Sequence, residues 1–175
     1  IWAEPRLVTG TEGRADKSTA ASPESAEPQK RLPFLVWICG LLCVCCYVSE
    51  GSVGEWGSLY LHQEKGAPES IAALVFAGFS MCSLLCRLTG DRLRNNFGDF
   101  AVGTAGATLA LVGMLTVLTA SSWSVCLIGY AMMGLGQAPI VPIAFSRAGA
   151  IKGVSTARAT SLVSLLAYAG LLFAP

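Results

Sequence analysis

The chain has 175 residues, of which 53% are hydrophobic and only 13% charged, and its mean hydropathy is +0.58; neither an ordinary water-soluble domain nor a disordered chain has this balance. Its 12 Lys and Arg against 11 Asp and Glu give a formal charge of +1, which leaves no basic excess to hold a nucleic-acid backbone. The charge is also unevenly spread, with 10 charged residues in the first 32 and 13 in the remaining 143.

In chain order, residues 1–32 come first. They are rich in Ala, Ser, Pro, Glu and Gly and carry too little apolar surface to offset the entropy of ordering them, so they read as a flexible cytoplasmic linker. Residues 33–175 form the apolar body. Its uncharged runs are Leu32–Ser49, Ser70–Cys86, Phe100–Ser146 and Ala159–Pro175. A bilayer core ~30 Å thick takes about 20 helical residues, so the Phe100–Ser146 run must cross twice. The small polar turn Thr119–Trp123 is its natural break. Five helical spans are therefore expected, at about 33–61, 70–89, 100–118, 123–146 and 159–175. Helices are the expected form because unpaired backbone groups are costly in hydrocarbon. The fold class is all-α, a polytopic transmembrane bundle.

Cationic residues alternate between the connections. Arg6, Arg14, Lys17, Lys30 and Arg31, then Arg87, Arg92 and Arg94, then Arg147, Lys152 and Arg158 fall on one side, and Lys65 alone falls on the other. The positive-inside rule puts the first set in the cytoplasm of a multi-pass protein of the cell inner or plasma membrane. The chain starts without Met and its last span is short, which reads as an internal fragment of a longer polytopic protein.

Four features stand out in the body. The first is Ser49-Glu50-Gly51-Ser52-Val53-Gly54-Glu55-Trp56-Gly57. Glu50 and Glu55 either reach outside water or, at depth, Glu50 is a cavity-facing acid that binds substrate or takes up a proton. Gly51, Gly54 and Gly57 either loosen this stretch or admit a close neighbouring helix. The second is Arg87-Leu88-Thr89-Gly90-Asp91-Arg92-Leu93-Arg94, expected as a basic turn at a cytoplasmic helix end. There Gly90 would permit close helix approach and Asp91 would pair with an Arg or a helix N-terminus.

The third is Gly134-Leu135-Gly136-Gln137-Ala138-Pro139-Ile140-Val141-Pro142. Pro139 and Pro142 each remove a backbone donor, so with Gly134 and Gly136 they predict a kinked helix. Gln137 at that depth serves either as a solute contact or as interhelical glue. The fourth is the set of seven cysteines. Cys39, Cys43 and Cys46 share a face, but no His joins them, so small packing residues are expected rather than a metal site. No nucleophile elbow, H-E-x-x-H helix or phosphate loop occurs, so no cofactor and no enzyme is expected.

These parts, in this order, resemble the second half of a major facilitator superfamily transporter, of the bacterial group related to sugar and fucose permeases. The likeness rests on Glu50-Gly51 with Trp56 and Leu59-Tyr60-Leu61, on Arg87 with Gly90-Asp91-Arg92-Leu93, on Gly134-Leu135-Gly136 with Val141-Pro142, and on Gly170-Leu171-Leu172-Phe173-Ala174-Pro175. The basic stretch matches the superfamily's G-x-x-x-D-R-x-G-R-R loop only in part, with a shortened Gly-to-Asp spacing and no final basic pair. The resemblance implies five spans of a six-helix half whose N-terminal partner half is absent, with spans one and four lining a central cavity.

It also implies secondary active transport of a small solute by alternating access, as a symporter or antiporter coupled to protons. Glu50, Gln137 and Trp56 are then the solute or proton candidates, and Arg87, Gly90, Asp91, Arg92 and Arg94 the cytoplasmic gate. The alternatives are a non-transporting membrane receptor or regulator of the same fold, or a structural subunit.

Overall fold

The computed structural model describes residues 33–172, all of whose regular structure is helical. The linker expected at residues 1–32 lies outside the described residues. Helix α1 (Phe34–Gln63) starts behind Pro33, whose fixed φ suits the approach to a helix and whose missing N–H costs nothing there. At about 1.5 Å per residue it is ~45 Å long, more than the hydrocarbon core needs. It closes on Glu64, whose N–H donates to the Tyr60 carbonyl. Gly66 then takes the left-handed backbone (φ 65°) that turns the chain.

Helix α2 (Glu69–Ala72) follows Pro68 and runs through Ala73, itself in helical conformation, into α3 (Leu74–Thr119). Gly98 (φ 81°, ψ 156°) divides α3 into two arms. No atom stands within 4 Å of where its Cβ would lie, so the position calls for glycine on conformational grounds, not for lack of room. The arms face one another across a cleft of about 610 Å³, walled by Leu85, Thr89 and Leu93 on one side and Ala101, Ala105 and Leu109 on the other.

The expected basic turn at Gly90–Arg94 is thus corrected. That segment is helical, and the chain reverses at Gly98. Gly90 is buried but has no neighbour within 4 Å of a Cβ position, so it does not serve a close helix crossing.

Helix α4 (Trp123–Gln137) packs along the second arm of α3. A Cβ on Gly113 would lie 2.6 Å from the Gly129 carbonyl oxygen, and one on Gly106 2.5 Å from that of Gly136. The two pairs are seven residues apart on each helix, so the backbones touch over two turns, the close approach that small residues permit in membranes. Gly134 meets the backbone of Phe79 in the first arm. Gly134 and Gly136, expected as kink-formers, therefore lie within a regular helix and serve packing. The break falls at Ala138–Pro139, before α5 (Ile140–Gly149). Ala138 and Pro139 keep helical dihedrals, and the ladder is interrupted there because Pro142 has no N–H to offer the Ala138 carbonyl.

Helix α6 (Thr156–Leu172) returns along α1. Gly170 fits against the backbone of Val44, and Gly40 against the side chain of Leu166. Two apolar clusters result. Val36, Cys39 and Cys43 join Ala144, Ala148, Ala159 and Val163 at the end of the bundle where α1 begins. Val53, Leu61, Val75, Phe79, Val117, Tyr130 and Met133 join at the other. At that second end, Lys65 Nζ donates to the Ala120 carbonyl at 2.8 Å, tying the α1–α2 turn to the C-terminus of α3, where a cation is favoured.

Candidate functional site

The central feature is an ion pair that joins two spans. Glu50 projects from α1 ~24 Å from Phe34 and ~20 Å from Gln63 along the helix. Arg87 projects from the first arm of α3 ~20 Å from Leu74 and ~16 Å from Gly98. Arg87 Nη2 lies 4.0 Å from Glu50 Oε2, with the side chains 47% and 36% exposed. Glu50 thus sits near the middle of α1, and Arg87 lies within the first arm directly after the uncharged run Ser70–Cys86. Arg87 was expected in the cytoplasmic turn; it stands three helical turns above the reversal at Gly98 and leaves the set of loop cations. Charges inside a span are costly in lipid and are found facing a bundle interior or a wet cavity.

On the neighbouring face of α1, Gln137 Nε2 donates to Ser49 Oγ at 2.7 Å. Gln137 is the last residue of α4 before the break, so the backbone interruption and the amide fall together. Ser49, which the sequence reading passed over, lies beside Glu50 and also lines an apolar groove of about 540 Å³ with Ser52, Trp56, Tyr60, Tyr130 and Met133. Trp56 stands on that groove wall, 55% exposed, nearly two turns from Glu50. Glu50 meets Arg87 and Ser49 meets Gln137 on adjoining faces of α1, and Trp56 belongs to the groove wall, which neither Glu50 nor Arg87 lines. Tyr47 packs on Tyr168 of α6 with ring centroids 6.2 Å apart.

A second cluster sits at the basic end. Arg94 Nε donates to Asp99 Oδ1 at 2.8 Å, and Arg147 Nε to Asp99 Oδ2 at 3.0 Å. Asp99 follows the reversal and binds both the first arm and the end of α5. Of the expected gate residues, Arg94 takes part, whereas Asp91 and Arg92 are exposed and form no salt bridge among the described residues. Asp99 was not singled out from the sequence, although an acid five residues after Arg94 at a glycine turn was a readable signal.

The Arg94 hydrogen bond, with Arg147 beside it, holds the Asp99 carboxyl below the usual carboxylate range. A carboxyl lowered by folding adds stability that is complete above its ordinary value near ~3.9 and is lost as pH falls through the lower folded value. Asp99→Asn is accordingly expected to cost about 0.5–1 kcal/mol in thermal unfolding of the whole protein, equally at about pH 5.5 and about pH 7.5. A loss seen at only one of these would refute the assignment.

Among the described residues no cluster of His, Cys, Asp and Glu is arranged to hold a metal. Cys39 and Cys43 pack among Ala144, Ala148 and Val163.

No profile of a known protein family matches the chain, and no solved structure matches it. It is 32% identical over 163 residues to an uncharacterized transporter of Sinorhizobium fredii, a match covering 91% of this chain and 42% of that protein. It is 33% identical over 136 residues to the membrane protein MosC of Rhizobium meliloti, covering 78% and 33%. It is also 30% identical over 140 residues to an uncharacterized MFS-type transporter of Yersinia pestis, covering 80% and 36%. The chain thus spans about a third to two fifths of the curated relatives it matches. Three long apolar spans, one of them folded at Gly98, and a shorter fourth make it a partial multi-pass membrane bundle, and the relatives named as transporters, one of them MFS-type, match it to part of a major facilitator superfamily transporter.

Proposed function

We propose that the whole protein is a secondary active transporter that moves a small polar solute by alternating access, coupled to protons through Glu50. The basic end of the bundle faces the cytoplasm of a cell whose inner or plasma membrane holds it. The observation that carries this reading is the Glu50–Arg87 pair between two spans, with the Ser49–Gln137 hydrogen bond on the adjoining face of α1. A titratable acid held against a permanent cation at the cavity face gives a proton a place whose occupancy alters the charge offered to a solute. The relatives named as transporters support the same reading. The partner half, which would supply the other wall, belongs to the proposal.

The Asp99 cluster joins the Gly98 reversal to the end of α5 and serves as the cytoplasmic latch in place of Asp91. The receptor alternative leans on residues 1–32, which lie outside the described residues. The test is uptake by the whole protein in liposomes, across a panel of small polar solutes. An inward proton gradient should drive accumulation about tenfold above equilibrium per pH unit for a one-proton cycle, and a protonophore should collapse it. Accumulation that ignores the gradient removes proton coupling, and absence of flux for every solute favours the receptor reading.

A further inference from the structure

Arg87 has more binding capacity than its partner uses. A guanidinium stays charged at any physiological pH and presents five donors in a planar fork suited to a carboxylate. Here its nearest acidic oxygen is 4.0 Å away, beyond hydrogen-bond reach. No hydrogen bond to its side chain occurs among the described residues, and 47% of that side chain is open. A permanently charged fork inside a membrane span, with unused donors, is a place for an anion that Glu50 meets only from a distance. Glu50, unlike Arg87, can discharge by taking a proton. The titratable groups facing it are Arg87 from α3 and Cys46 and Tyr47 on its own helix, with Tyr168 of α6 behind Tyr47, so no second acid competes there among the described residues.

We propose that the solute carries a carboxylate or like anionic group that binds Arg87 in a bidentate manner in place of Glu50. Glu50, released from the cation, takes up one solvated proton from the aqueous solution. The neutral amide and hydroxyl of Gln137 and Ser49, one helix face away, hold the uncharged part of the same solute. Loading one monoanion with one proton leaves the net charge of the site unchanged. This substrate class rests on the transport reading above, but the anion site itself does not, and the experiment separates the two.

The test uses the whole protein in detergent or nanodiscs with sodium acetate as the probe, against acetamide and sodium chloride at equal concentration. In Glu50→Gln the Arg87 fork lacks its carboxylate, so acetate should raise the melting temperature by about 2–4 °C at saturation while the two controls do not. In Glu50→Gln combined with Arg87→Gln the acetate effect should vanish. An acetate effect no larger than that of chloride, or one that persists without Arg87, overturns the proposal. If the double variant does not fold, Glu50→Gln with Arg87→Lys serves instead: a point charge without the fork should bind acetate at least about fivefold more weakly, and equal binding overturns the bidentate assignment. A positive acetate result in a protein that shows no flux would sink transport and leave the anion site standing.

Discussion

Glu50→Gln is expected to abolish uphill solute accumulation by the whole transporter while leaving gradient-independent exchange in place. The amide keeps the size and hydrogen bonding of the carboxyl but can neither carry a charge against Arg87 nor take up a proton. Stability should change little. Breaking a fully buried ion pair costs several kcal/mol, but this pair is 36% and 47% exposed and separated by 4.0 Å, so the loss should stay at about 1 kcal/mol or less. Accumulation ratios in liposomes with and without an imposed proton gradient measure the first effect, and thermal unfolding the second. Full gradient-driven accumulation by Glu50→Gln removes this residue from the coupling mechanism.

The second large effect is on folding. Gly136→Leu, and separately Gly113→Leu, are expected to destabilise the protein by about 3 kcal/mol or more, above the usual range for overpacking. A Cβ at Gly136 would fall 2.5 Å from both the Ala110 nitrogen and the Gly106 carbonyl oxygen, and one at Gly113 2.6 Å from the Gly129 oxygen. These obstacles are backbone atoms and cannot rotate away, so α3 and α4 would have to separate along two turns. Gly78→Ala is the control. Its Cβ position is open, and alanine in a helix interior should be neutral or gain about 0.5–1 kcal/mol. Melting curves of purified variants decide the matter. Equal stability of Gly136→Leu and the parent would mean that the glycine seam does not hold these helices together.

Much of the architecture could be read from hydropathy because lipid leaves so few choices: apolar runs of a given length become helices. Hydropathy misled where a charge falls inside a span. Arg87 ends an uncharged run, so it read as the start of a loop, yet α3 continues through it for three more turns. The acid nearest that charge is Glu50, 37 positions earlier, and only the folded chain shows the pairing. The glycines failed differently. Gly106 and Gly113, and Gly129 and Gly136, recur at seven-residue spacing in the sequence, a period that puts each pair on one helix face. The nearby prolines drew attention to bending when the glycines were marking a contact. Gln137 was weighed as solute contact or glue; its bond to Ser49 makes it glue in this conformation, and the adjoining break leaves it free to serve the other role in another.

The single-residue reversal at Gly98 bears on how the protein is made. Two apolar arms joined by one left-handed glycine have no slack in which the first could settle in the bilayer long before the second. The two arms therefore enter a bilayer together, as one helical hairpin. A lone arm bearing Arg87 would carry an unpaired cation, a charge that costs about 2.5–3.5 kcal/mol at a bilayer centre, and α1, synthesised earlier, already presents Glu50 to it. The order of synthesis therefore delivers the acid before the base that needs it.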